Sequence, residues 1–410
     1  MKFLRTVSTR RLLAIIVGLI VAIGGGAAIA VAAAGNGPVP KREPLAEAIH
    51  QALSAPTVTG ISARITFTNN LINAGDFQGQ TDPILQGAIG RLWMSDTPGD
   101  HRLRIELQSD NGDAQVVFNN GSFSVYDPSS NTAYEGTLPS YSAKAATAKG
   151  HTADAVPTVA KIQNALGRVS KRVDISGAIP SDVAGQPTYT VRVSPQHAAG
   201  LFGDVQMAWD ALRGVPLRIA VYARGDGTPV LQLAATDVSF GAVPAGDFQI
   251  SPPPDAKVVK ISTQKLSASV HRSARRVRRD ARHAAVSGAA AVASRVPFKL
   301  AAPGTLAGLP RRSVSLLDWA GHPAALVAYG QNLGGIAVIE QLQTTGASHA
   351  NTGGGQQGGL SLPTVSINRT TGTELDTALG TLVRFTRGQV AYTVIGSVPP
   401  AAADAAARGL

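Results

Sequence analysis

Between residues 58 and 250, apolar and polar side chains alternate with a period of two. Ile61, Ala63, Ile65 and Phe67 interleave with Ser62, Arg64 and Thr66, and Leu103, Ile105 and Leu107 with Arg102, Arg104 and Glu106. Val191 and Val193 repeat the pattern, as do Leu217, Ile219 and Val221. Successive side chains of a strand point to opposite faces, so each of these strands has one dry and one wet face. Turn clusters such as Asn119-Asn120-Gly121, Asp127-Pro128 and Gly225-Asp226-Gly227 separate the runs, which predicts an antiparallel sheet built of hairpins. Two segments carry helical spacing instead: 44–55, through Leu45, Ala48, Ile49, Ala52 and Leu53, and 156–173, through Val159, Ile162, Leu166 and Val169. Two short helices are too small to cover eight or more strands. The surplus dry face is an ordinary filled core, a seat for a second sheet, or the wall of a cavity that admits an apolar ligand. The candidate cavity residues are Ile65, Phe67, Leu92, Leu103, Ile105, Phe118, Phe123, Val191, Ile219, Val221 and Leu233.

Upstream of the sheet, Leu12 to Ala34 is free of charge and follows Lys2, Arg5, Arg10 and Arg11. A run of this length crosses a hydrocarbon core of about 30 Å as a helix. The preceding cations place the N-terminus in the cytoplasm and send the body outward. The run ends in small residues that also suit a cleavage site, so uncleaved anchor and cleaved signal both stay open. A body on the extracytoplasmic side of the cytoplasmic membrane is expected in either case. Residues 35–43 read as a linker.

The 410-residue chain carries a net charge of +11. Four of these charges lie in residues 1–11 and a net seven in residues 265–295, so the remainder is balanced. Arg272, Arg275, Arg276, Arg278, Arg279 and Arg282 flank an Ala-rich stripe through Leu266, Val270, Ala274, Val277, Ala281 and Ala285. This predicts a basic amphipathic helix: a membrane-surface contact for anionic lipid, a dock for an acidic partner, or a solvated connector. Nucleic acid is excluded as a partner, because the segment has no aromatic residue for stacking and the rest of the chain has no basic face.

From Val296 onward, strands are expected at 313–319, 324–329, 335–343, 363–368, 381–386 and 390–395, with a terminal helix opening at Pro400. A Gly-, Gln- and Ser-rich loop, 346–359, interrupts them. Its Gly353-x-Gly355-x-x-Gly358 opens no helix and is not a dinucleotide fingerprint.

Catalytic chemistry is missing from the pattern. The sequence has no Cys, its eight His are scattered, and it has no Walker A motif or nucleophile-elbow Ser. Neither enzyme activity nor a cofactor or metal is expected. Asp210, beside Trp209 at a turn, reads as structural.

Several stretches in order resemble one superfamily of bacterial export proteins, the lipoprotein-carrier (LolA-like) and sigma-regulator (RseB-like) group. They are Gly90-Arg91-Leu92-Trp93-Met94, then His101 to Glu106, then Val116 through Gly121 to Tyr126-Asp127. Tyr189 to Val193, Trp209-Asp210, Gly214 to Arg218, and Phe248 through Pro252-Pro253-Pro254 follow. The resemblance implies an α+β fold: a strongly curved antiparallel half-barrel sheet covered by helices over residues 44–256. Beyond it come the basic helix or linker, 257–296, and a small α+β C-terminal domain, 297–410. It also implies that the hollow holds or senses lipid or lipoprotein acyl chains. The partners it implies are a membrane transporter or an anti-sigma-type protein. An Arg- and Ala-rich composition points to an actinobacterial source, and the missing lipobox Cys departs from several relatives of that type. The C-terminal strands, Thr381 to Phe385 and Gln389 to Ser397, resemble an uncharacterised domain found on bacterial extracytoplasmic and anti-sigma-type proteins.

Overall fold

The computed structural model describes residues 37–72, 87–97, 100–108, 112–128, 130–137, 156–197, 199–249, 251–261, 286–319, 322–343 and 363–410. The charge-free run 12–34, the six arginines between 272 and 282 and the loop 346–359 lie outside them. Among the described residues no helix is long and apolar enough to cross a membrane. The chain divides into two compact units: Met1–Asn70, Gly79–Gln196 and Gly203–Val270 in the first, Leu71–Gln78, His197–Phe202 and His271–Leu410 in the second.

The first unit opens with helix α1 (Leu45–Ser54). Six strands follow: β1 (Gly60–Asn69), β2 (Ala88–Thr97), β3 (Asp100–Leu107), β4 (Ala114–Asn119), β5 (Ser122–Asp127) and β6 (Thr132–Thr137). After α2 (Val159–Val169) come β7 (Val173–Ile175), β8 (Ile179–Val183), β9 (Gln186–Pro195), β10 (Phe202–Asp210), β11 (Pro216–Ala223), β12 (Pro229–Phe240) and β13 (Lys257–Ile261). They form a 13-stranded sheet in the order β13-β6-β5-β4-β3-β2-β1-β12-β11-β10-β9-β7, with β8 on β9.

The hairpin pairs are antiparallel as the alternation requires, but β13 runs parallel to β6. No tight turn joins these two strands. The chain reaches β13 by a long return, the arrangement that parallel pairing needs. β13 therefore carries the first sheet past residue 256, into the stretch read from sequence as linker.

α1 and α2 pack on one end of the sheet. Their Ile49, Ala52 and Ile162 close over Tyr189, Val191, Val193, Met207 and Trp209. α2 is capped by the Thr158 hydroxyl, which accepts the Lys161 N–H at 3.4 Å. It ends at Val169, four residues short of the helical reading, because Val173 pairs with Pro195 in β7 and is buried there.

The second unit holds α3 (Ala289–Ala293) and eight strands: β14 (Thr305–Leu306), β15 (Leu309–Trp319), β16 (His322–Tyr329), β17 (Ile336–Leu342), β18 (Thr364–Ile367), β19 (Thr370–Thr377), β20 (Gly380–Arg387) and β21 (Val390–Gly396). It closes with α4 (Pro400–Arg408). The sheet order is β14-β15-β16-β17-β21-β20-β19-β18. β19, Thr-Thr-Gly-Thr-Glu-Leu-Asp-Thr, has a single large apolar residue and carries no alternation to read. Its pairing with β18 and β20 makes it a strand. Val327, Val338, Val383 and Val394 build a core against Ala403, Ala406 and Ala407 of α4, whose small side chains let the helix lie close to the sheet.

Candidate functional site

Strand register turns separate alternations into one surface. Ala63 lies opposite Leu92, Leu92 opposite Ile105, Ile105 opposite Val116, and Val116 opposite Val125. One row along, Ile61, Met94, Leu103, Phe118 and Phe123 face one another in the same way. On the far side of β1, Phe67 is opposite Leu233 and Leu233 opposite Ile219, while Val221 lies opposite Leu231. Residues directly opposite in an antiparallel pair share a face. Ile65, Phe67, Leu92, Leu103, Ile105, Phe118, Phe123, Ile219, Val221 and Leu233 therefore stand together on one face of β1–β5, β11 and β12.

A bulge at Arg64/Ile65 keeps that face apolar across β1 and β12. β12 changes parity there, from Leu231, Leu233 and Ala235 to Val238 and Phe240. The extra residue lets both halves stay dry-side in.

Val191 stands apart from the other ten. It lies opposite Met207 and is buried beneath α1 and α2. Alternation places a residue on a face of its own strand, and the helices decide which part of the sheet is sealed.

Most of the shared face is only partly covered. Ile65 and Phe118 are buried, but Phe67, Leu92, Leu103, Ile105, Phe123, Ile219, Val221 and Leu233 are half-buried and Val116 is 38 % exposed. At one end Ile61, Leu92, Met94, Val238 and Phe240 pack with Leu217 and with Val183 of β8. The three buried apolar clusters among the described residues leave Phe67, Leu103, Ile105, Phe118 and Phe123 outside. Fully burying one such side chain contributes about 1.5–3 kcal/mol, so the face retains a large unrealised apolar free energy.

The opposite face is built differently. The Arg104 guanidinium stacks 4.5 Å over the Trp93 ring and pairs with Glu106, and Arg102 lies 5.4 Å over Phe248 while pairing with Asp100. The Arg102 hydrogen bond holds the Asp100 carboxyl below its usual range. A groove of about 570 Å³ runs here between Phe248 and the polar side chains of Asn119, Ser122, Ser124, Glu135 and Lys260. A neighbour of about 450 Å³ runs along Pro252, Pro253 and Pro254. Of the sequence-predicted cavity residues only Phe123 borders the first groove, and none borders the second. In the sequence, Phe248 and the prolines stand only as the closing stretch of the resemblance and not as the wall of a groove.

Asp210 is completely buried at the β10–β11 turn. It accepts the Leu212 and Arg213 backbone N–H groups at 2.8 and 2.7 Å and pairs with the Arg213 side chain, a structural set of contacts. Among the described residues no group of His, Asp and Glu is placed to hold a metal ion.

No protein-family profile matches the sequence, and no curated protein matches it. Solved structures do show likeness. The chain is similar to MucB in complex with MucA(peri), at 15 % identity over 88 % of this chain and 94 % of that one, with a TM-score of 0.37. It is similar in the same measure to the MucA/MucB complex of Pseudomonas aeruginosa, with a TM-score of 0.38. A putative outer membrane lipoprotein-sorting protein domain from Vibrio parahaemolyticus matches at 10 % identity over 50 % of this chain and 95 % of that one, with a TM-score of 0.22.

Proposed function

We propose that the first unit is a binding module for an apolar chain, the acyl part of a lipid or of an acylated molecule. One observation supports this reading above the others: ten predicted dry-side residues share a continuous face that stays half-covered. Apolar contact is non-directional, so selection would be by chain length and volume, at about 0.8 kcal/mol per buried methylene. Binding, with no catalytic step, is the activity proposed. The body would work on the extracytoplasmic side, tethered through residues 12–34.

Native mass spectrometry of the detergent-free body tests the reading. Co-purifying lipid, displaced by a fluorescent fatty acid, is the expected result. A body that is lipid-free and takes up no fatty acid overturns it. The second reading, an envelope-sensing module that contacts a membrane-protein partner, is favoured by the second unit with its own sheet and core. It predicts capture of such a partner by the lipid-free body.

A further inference from the structure

The second unit places a carboxyl where its strand should be dry. The inward positions of β17 are Ile336, Val338 and Glu340, and all three are buried, Glu340 completely. Register sets Glu340 between Ala325 of β16 and Tyr392 of β21. The Ala301 backbone N–H donates to Glu340 Oε2 at 2.8 Å. The other oxygen, Oε1, is enclosed with no hydrogen-bond partner, and so is the Tyr329 hydroxyl.

Ala301 belongs to a strap, residues 296–302, that joins α3 to β14. Val296 is buried, and Phe298, Leu300, Ala301 and Ala302 pack on the core beneath. Arg311 donates a side-chain hydrogen bond to the Ala302 carbonyl. Glu340 is thus the only buried carboxyl among the described residues that ties this strap to the sheet.

The ionisable groups around it offer the anion no counter-charge. Tyr329 and Tyr392 flank it, Arg311 acts on Tyr329 and Arg387 on Tyr392. The strap itself carries Lys299, which is exposed. Among the described residues no cation forms an ion pair with Glu340. A buried carboxylate without a cation is expensive: the group either stays protonated or, once ionised, gains by reaching water.

We propose that Glu340 is a proton-operated catch for the 296–302 strap: the neutral acid holds the strap on the sheet, and the anion releases it. The energetics agree with the geometry. Burial pushes Glu340 up to about 7, against the lowering effect of the Ala301 hydrogen bond. A folded-state value above the unfolded one means that the stabilisation is complete below the ordinary carboxyl range and is lost as pH rises through about 7.

Hydrogen exchange of the Ala301 amide in the full chain tests this, from about pH 5 to about pH 9 and corrected for the intrinsic rate. Protection should fall by up to about tenfold per pH unit from about pH 5 to about pH 7 and level off above that in the wild type, and stay level throughout in Glu340→Gln. A level wild-type profile, or an equal slope in the variant, overturns the proposal. Should Glu340→Gln fail to fold, infrared titration of the wild type reads the same event. Loss of the protonated-acid carbonyl band in step with strap exposure supports the catch. A strap that stays protected after the band has gone overturns it.

Discussion

Leu103 of β3 lies directly opposite Phe118 of β4, and the pair sits mid-way along the apolar face of the first unit. Phe118 is buried while Leu103 is half-buried, so cover thins from one side chain to the next. Replacing Leu103 with Asn removes apolar area from the face without filling the polar side. If the face holds an acyl chain, Leu103→Asn should weaken fatty-acid binding by about one to two orders of magnitude, the equivalent of about 1.5–3 kcal/mol. Ser122→Ala, on the opposite face, should leave affinity unchanged. Fluorescent fatty-acid displacement measures both, and equal affinities for the two variants would count against this surface.

Tyr189 ties the entry to α1 onto the sheet. Its hydroxyl donates to the Lys41 carbonyl at 2.6 Å, and its ring lies 6.0 Å from that of Trp209. Tyr189→Phe keeps the ring contact and deletes the hydrogen bond. The expected cost is about 1 kcal/mol, read as a lower urea midpoint with the slope unchanged.

Gly90 leaves no room for a side chain. A Cβ there would meet the Glu106 carbonyl oxygen at 2.0 Å across the β2–β3 pair. Gly90→Ala must force the two strands apart, beside the rows that form the apolar face. A loss of about 2–3 kcal/mol is expected from overpacking of this kind. A thermal melt indistinguishable from wild type would contradict the close approach.

Acid should loosen the β2–β3 end of the sheet. The Asp100 carboxyl is held low, first by its hydrogen bond to Arg102 and further by one to Asn120. A depressed folded-state value means that this contribution is present above the ordinary carboxylate range and is lost as pH falls through the lower, folded-state value. Asp100 is partly exposed, so solvent screening keeps the effect small. Asp100→Asn should flatten the acid limb of a stability-against-pH curve and leave the neutral region nearly unchanged.

Local pattern and final structure agree where the physics is local. The period of two in Ile61–Phe67 and Leu103–Leu107, and the helical spacing of Leu45–Leu53, were legible because side-chain direction along a strand or helix depends on the chain's own geometry. Where the agreement breaks, the cause lies far off in sequence. β19 is a strand because β18 and β20 pair with it, although Thr370–Thr377 holds almost no apolar residue. Glu340 sits in a dry row because β16 and β21 flank it, and no spacing within β17 foretells a carboxyl there.

By itself, the sequence determined that the first unit has strands with one apolar side, and which residues occupy that side. Tertiary structure alone decided that ten of these residues merge into one surface, that Val191 is sealed under two helices, and that two grooves among the described residues open on the polar face. Alternation constrains one strand at a time. Register, bulges and covering elements couple residues more than a hundred positions apart, and those couplings set which apolar surface stays open to a ligand.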